Sequence, residues 1–162
     1  MNLIVYGSLI NKKELFNEGI SLVDVEKVKV YGFQRVFNQE PSFRLVESRN
    51  RAVLNVRKSD NLWFNAIVIK NLEEEYFQVL DKREKGYKRT LVEKTQIITY
   101  DKNEFLESYI YLGKEEKENF SIFPNESYLD ICLSGVKTFG DEFHKDFLNT
   151  TYKNSLNGLT LI

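Results

Sequence analysis

The chain of 162 residues holds one cysteine and one histidine. A single cysteine, Cys132, excludes an internal disulfide, and a single histidine, His144, excludes any multi-histidine metal site. Cys132 falls in the helical pattern "YLDICLSG" and reads as a small core residue, whereas His144, in "GDEFHKDFL", reads as a solvated helical side chain. Proline occurs only twice and glycine eight times beside twelve Phe and nine Tyr, which argues against disorder and for a packed body. An excess of charge is missing as well: 23 basic against 24 acidic residues leave no global field to attract nucleic acid or an anionic membrane. No apolar run approaches the ~20 residues that span a bilayer. Met1 runs into "NLIVYG" without a basic leader, apolar region or cleavage site, so the expected compartment is cytoplasmic. At this length the expectation is one domain, residues 1–162, as a monomer or homodimer, that buries roughly two-thirds of its unfolded surface.

Patterning gives the elements. "NLIVY" is a short buried strand, and "NKKELFNEG" a short helix stopped at Gly19. "SLVDVEKVKVYGFQRVFN" alternates through Val23, Val25, Val28 and Val30 and turns at Gly32, predicting two strands. "RAVLNVRKSDNLWFNAIVIKN" predicts a hairpin closed by a Lys-Ser-Asp-Asn turn. "NLEEEYFQVLDKREKGY" switches to a period of 3.6: Asn71 is the expected N-cap with Glu74 three residues on, and Gly86 the expected stop. "KRTLVEKTQIITY" and "ESYIYLG" predict two more strands. "NESYLDICLSGVKTFG" and "DEFHKDFLNTTY" predict closing helices capped by Asn125 and Asp141. With strands early, helices late and no β-α-β alternation, the expected class is α+β: a mixed, mostly antiparallel β-sheet curled into a partial barrel with flanking helices.

One residue breaks the pattern. Leu72, Tyr76, Phe77 and Leu80 form the apolar stripe of the best helix, and the next member of that series is Glu84. A carboxylate there meets both the negative end of the helix dipole and an apolar surround, and each raises its pKa. Such a group takes and returns protons near neutral pH, as general acid–base work requires. Asp81, three residues earlier, is a rival better suited to a structural hydrogen bond. Tyr87, three residues later, either hydrogen-bonds Glu84 or begins the next strand. The charged neighbours of "DKREKGYKR" are equally those of a solvated face. At the other end of the chain "VYGSLI" closes the first strand with Tyr6, Gly7 and Ser8. A Gly-Ser strand end can turn successive backbone N–H groups toward one point, a nest for a carboxylate or oxyanion, with Tyr6 adding a phenol and Ser8 a hydroxyl. A plain strand-to-loop turn explains the tripeptide too.

Together, "VYGSLI" and "LDKREKGYKRTLV" resemble the γ-glutamylcyclotransferase-like family, in which a Tyr-Gly-Ser or Tyr-Gly-Thr loop precedes a Leu-Asp-x-x-Glu-x-x-Tyr-x-Arg segment. Here that segment stands as Leu80, Asp81, Glu84, Tyr87 and Arg89. The closing "PNESYLDICLSGVKTFGDEF" is similar to the ChaC-like branch. From that branch the chain departs at Asn11, where a tryptophan is usual, and at Phe33-Gln34-Arg35, where the family stretch is more basic. The resemblance implies a mixed β-barrel with flanking helices and conversion of a γ-glutamyl amide to 5-oxoproline and a free amine, with no cofactor and no metal. It also implies Glu84 as the acid–base residue, Tyr6, Gly7, Ser8 and Leu9 as the cradle of the γ-glutamyl group, and Tyr87 at the pocket border. Arg35, as a partner for a substrate carboxylate or an exposed charge, and Tyr111 are weaker candidates. Two other activities use the same residues: an amidase releasing glutamate, and a non-catalytic γ-glutamyl or amino-acid binding module.

Overall fold

A computed structural model describes residues 1–20, 24–43 and 47–162. Val23, placed in a strand by its alternation, lies outside the described residues. The core of the molecule is a ribbon of two long strands, β2 (Val25–Gln39) and β3 (Asn50–Ile69), paired antiparallel along most of their length. At one end of the ribbon, β1 (Leu3–Val5) pairs antiparallel with β3 through Leu3↔Ile69, and β6 (Ser108–Gly113) joins β1 in parallel. There β4 (Tyr87–Val92) forms the outer edge against β6, and β5 (Ile97–Thr99) covers β2. At the other end β7 (Phe123–Pro124) joins β3, while β8 (Thr151–Ser155) runs parallel to β2 and carries β9 (Gly158–Leu161). The protein is thus α+β, with a mixed sheet that, among the described residues, has nine strands and does not close.

Helices α1 (Lys12–Asn17), α2 (Glu74–Arg83), α3 (Glu126–Lys137) and α4 (Asp141–Asn149) flank it. The helical stripe of α2 packs Phe77 and Leu80 inward with no exposure, and Phe143 and Phe147 of α4 are equally enclosed. Cys132 is buried on α3, and His144 stands partly exposed on α4. Among the described residues no helix is long and apolar enough to cross a membrane.

Several expected boundaries differ. Gly32, with φ of 85°, does not turn the chain: β2 continues through it as a bulge, because glycine takes the left-handed conformation without steric cost. The Lys-Ser-Asp-Asn stretch is no hairpin turn either. The pairing steps from Tyr31↔Trp63 to Phe33↔Lys58, leaving Ser59 through Leu62 opposite Gly32 alone. Both arms of the expected hairpin are therefore one strand, 20 residues long, lying on β2. Asn71 is not the N-cap of α2. Its φ is 57°, incompatible with the extended backbone of a cap; Glu73 takes that place and Asn71 donates to Asp24. Gly86 does not stop α2, which ends at Arg83 with Glu84 as C-cap, whereas Gly19 follows α1 with φ of 75°. Asn125 caps α3, accepting from the Tyr128 amide at 3.0 Å, but Gly140 caps α4 and Asp141 is its first residue. "KRTLVEKTQIITY" divides into β4, a short 3-10 turn and β5. The last helix stops at Asn149 with Thr150 as its C-cap, and Thr151 opens β8.

Candidate active site

The first strand ends abruptly. After Val5 the chain turns at Gly7 into a 3-10 turn, Ser8–Ile10, closed by the Ile10 amide on the Gly7 carbonyl at 3.0 Å. Helix α3 lies against this turn, tied to it by Asn11 Nδ2 donating to the Ile131 carbonyl at 3.1 Å. A side chain at Gly7 would place its Cβ 2.5 Å from the Tyr128 hydroxyl, so only glycine allows Tyr128 to lie over the loop. A hydrogen bond from the Ser8 backbone reaches that hydroxyl.

Helix α2 delivers Glu84, at its C-terminal end, to the same space as the loop, its amide bonded to the Leu80 carbonyl at 2.7 Å. Between them opens a cavity of about 550 Å³. Tyr6, Gly7, Ser8, Leu9, Glu84 and Tyr87 all line it, so the residues singled out from two distant motifs share one space. Tyr111 lines it as well, and the segment after β2 contributes Pro41, Ser42 and Phe43.

The Glu84 side chain is 18% exposed, and burial pushes the pKa of its carboxyl up to about 7. Arg83, whose Nε lies 3.3 Å from Glu84 Oε1, pulls the other way, and the nearby Glu18 carboxylate pushes up. A carboxyl poised there exists in both protonation states near neutral pH. The surrounding phenols do not compete for this proton, since burial raises Tyr6, Tyr87 and Tyr128 well above the usual tyrosine range.

The phenols are committed to scaffolding. Tyr6 donates to the Tyr111 carbonyl at 2.6 Å, so its hydroxyl is not the extra donor that the sequence suggested. Tyr87 donates to the Leu54 carbonyl at 2.7 Å and opens β4; of the two expected roles it takes the second. Tyr111 donates to Asp81 at 2.6 Å, which gives Asp81 the structural hydrogen bond expected of it.

Arg35 is neither a carboxylate partner in the cavity nor an exposed charge. It has no exposure at all, and its guanidinium donates to Thr151 Oγ1, the Asn65 carbonyl and Oδ1, Thr150 Oγ1, and the Phe147 and Tyr6 carbonyls. Phe147 stacks against it at 4.0 Å. Burial pulls its pKa down to about 9, still high enough to keep it charged at neutral pH.

Tyr128, Glu18, Arg83, Val53 and the Pro41–Phe43 segment also line the cavity and were not foreseen as site residues. The signal for Tyr128 was weak: Asn125 marks the start of α3, but only the packing of α3 on the loop brings Tyr128 over Gly7. Arg83 lay in plain view beside Glu84, but adjacent helical residues point apart and gave no reason to pair them. No group of three or more His, Cys, Asp or Glu among the described residues is placed to hold a metal ion.

No model of a known protein family matches the chain, and no curated protein matches it in sequence. In structure it is similar to YkqA from Bacillus subtilis, with a TM-score of 0.71 and 15% identity over 90% of this chain and 51% of that one. The chain thus spans about half the length of YkqA. It is similar to a gamma-glutamyl cyclotransferase, at TM-score 0.67 and 15% identity over 90% of this chain and 85% of that one. A gamma-glutamyl cyclotransferase from yeast specific to glutathione gives TM-score 0.62 and 14% identity over 93% and 94% of the two chains. At this low identity the likeness is one of fold, and the chain has the γ-glutamylcyclotransferase-like fold.

Proposed function

We propose that the cavity is the active site of a cofactor-independent cyclotransferase that converts a γ-glutamyl amide to 5-oxoproline and a free amine. One observation carries this reading: a carboxyl with a pKa near 7 lines the same cavity as the Tyr6–Leu9 loop. Fold neighbours described as gamma-glutamyl cyclotransferases support it.

In this reaction the substrate's α-ammonium gives a proton to Glu84, and the freed amine attacks the γ-carbonyl. A C–N bond forms, closing the five-membered ring, while the loop backbone stabilises the tetrahedral oxyanion. Glu84 then returns its proton to the leaving amine as the original C–N bond breaks. The second proton, shed by the ring nitrogen as it becomes an amide, passes through the same carboxyl to the freed amine, which departs as an ammonium and leaves Glu84 as it began. Tyr87 and Tyr128 hold the walls of the pocket. The residues act together as one domain working in the cytoplasm on a small γ-glutamyl compound.

Incubation of the purified protein with γ-glutamyl dipeptides, γ-glutamyl amines and glutathione, followed by mass spectrometry, tests the reading. Appearance of 5-oxoproline with the free amine is the expected result. Release of glutamate instead makes the protein an amidase that uses Glu84 to activate water. Tight binding with every compound recovered unchanged makes it a binding module.

A further inference from the structure

Arg83 is enclosed by three carboxylates, two from α1 and its C-terminal cap and one from its neighbour Glu84. Its Nη1 meets Glu18 Oε1 at 2.5 Å and its Nη2 faces Glu14 Oε2 at 3.7 Å, while Nε faces Glu84 Oε1 at 3.3 Å. Glu14 belongs to α1 and Glu18 caps its C-terminal end, so the guanidinium links α1 to the end of α2. These side chains are about as enclosed as Glu84 itself, with Arg83 20%, Glu14 23% and Glu18 24% exposed. At such depth ion pairs are screened less than at the surface. A cation directly beside an acid–base carboxyl, left alone, would hold that carboxyl ionised and spoil it as a proton carrier.

We propose that Arg83 is a positioning residue for Glu84 and that Glu14 and Glu18 control it, holding the guanidinium in place and offsetting its charge so that the Glu84 carboxyl remains free to take and release a proton. The device rests on the reading of Glu84 as the proton carrier of the cavity, and extends it from one residue to a relay that reaches α1. The other titratable groups around Glu84 do not supply this control. Tyr6 from the end of β1, Tyr87 from β4 and Tyr128 from α3 are neutral phenols near neutral pH. Tyr111 of β6 is likewise raised, and it is bound to Asp81, which also faces Arg89 at 3.6 Å. Among the described residues, Arg83 with its two carboxylates is the charged group in contact with Glu84.

The test is a carbon-13 NMR titration of the ligand-free protein labelled in its glutamate carboxyls, with the Glu84 signal assigned by its loss in Glu84→Gln. Removing a control carboxylate leaves Arg83 to act on Glu84 alone. Glu18→Gln is therefore expected to lower the Glu84 midpoint by about one pH unit, and Glu14→Gln by less. Arg83→Met is expected to raise it, and Arg83→Lys to bring it part of the way back. In the Arg83→Met background the effect of Glu18→Gln is expected to shrink, which marks action through the guanidinium rather than directly across space. An unchanged midpoint in Glu18→Gln and Glu14→Gln, with native near-ultraviolet circular dichroism, overturns the proposal even if Arg83→Met fails to fold. An equal Glu18→Gln effect with and without Arg83 also overturns it. The titration needs no substrate, so a midpoint that moves in a protein yielding no 5-oxoproline upholds the relay while the cyclotransferase reading falls. A fixed midpoint in an active enzyme does the reverse. Where turnover is found, the acidic limb of kcat/KM is expected to move with the midpoint.

Discussion

Arg35 and Glu84 are both drawn into this protein away from solvent, and they are treated in opposite ways. Arg35 sits at the middle of the β2–β3 ribbon with every direction of its guanidinium met by a carbonyl, amide or hydroxyl oxygen and with aromatic faces around it. Glu84 sits at the end of a helix on a cavity wall, with one flank on Arg83 and the other toward the open space. A buried charge that is fully satisfied holds structure together; one that is only partly satisfied, beside room for a ligand, is held ready to change protonation. The contrast explains why Arg35 fails as a ligand although it neighbours the loop: its reach toward Tyr6 ends at the carbonyl, 3.4 Å away, on the scaffold side.

The sharpest way to break the contrast is chemical. Glu84→Gln keeps the shape and removes the proton, so turnover to 5-oxoproline is expected to fall roughly 10³-fold with the fold intact. Most of the rate surviving in that variant, measured on the substrate that the wild type cleaves, would remove Glu84 from the mechanism. The structural counterpart is Arg35→Leu, which takes the guanidinium donors away from the buried oxygens of Asn65, Thr150 and Thr151, while the Phe147 carbonyl keeps the Thr151 hydroxyl and the Thr150 amide. Its expected cost is on the order of 4 kcal/mol in urea unfolding, because each orphaned acceptor carries a desolvation penalty. A loss below about 1 kcal/mol would show that the centre repacks or admits water.

The two centres were also unequally legible in the sequence. Glu84 could be found because a helical stripe is a local pattern: Phe77 and Leu80 fix the buried face, and one turn later the series lands on a carboxylate. Arg35 could not, since the groups that satisfy it come from β3, from the end of α4 and from the start of β8, more than a hundred residues away in the last two cases. The same distinction runs through the fold. Lys58, Ser59, Asp60 and Asn61 have turn chemistry, and a polar bulge in a long strand has the same composition as a hairpin loop; only the pairing with β2 decides between them. β8 is short and polar and β9 only four residues long, too little pattern to announce them, and they are held by pairing to β2 and to each other. The loop Tyr6–Leu9 was legible as a motif, but the placing of Tyr128 over Gly7 depends on helix packing that no local pattern encodes.

Acid–base titration of stability sharpens the comparison next. The Glu84 carboxyl has a folded pKa near 7 against an ordinary value of 4.5. Below the lower value both states carry the proton and burial exacts no charge penalty. Between the two values the unfolded chain ionises while the folded carboxyl stays protonated, so roughly 3 kcal/mol of stability is lost by the time the pH has risen through 7. Glu84→Gln does not ionise. It is therefore expected to be more stable than the wild type at pH 8 by up to that amount, with the advantage shrinking toward pH 5, as read by urea unfolding at the two pH values. An advantage of the same size at both would assign the effect to packing rather than to the buried charge.

The smallest effect is expected at the rim. Tyr111 lines the cavity, but its hydroxyl is spent on Asp81 at 2.6 Å, a carboxylate that is 41% exposed. Tyr111→Phe removes that one hydrogen bond, keeps the ring, and leaves Asp81 able to turn to water and to Arg89. Its expected cost is about 1 kcal/mol in stability. Turnover is expected to change by less than about threefold, because no proton or oxyanion of the reaction depends on this hydroxyl. A loss in kcat comparable to that of Glu84→Gln would mean that the hydroxyl leaves Asp81 and turns into the cavity when substrate binds, and Tyr111 would then join Glu84 as a group that is only partly satisfied in the empty site.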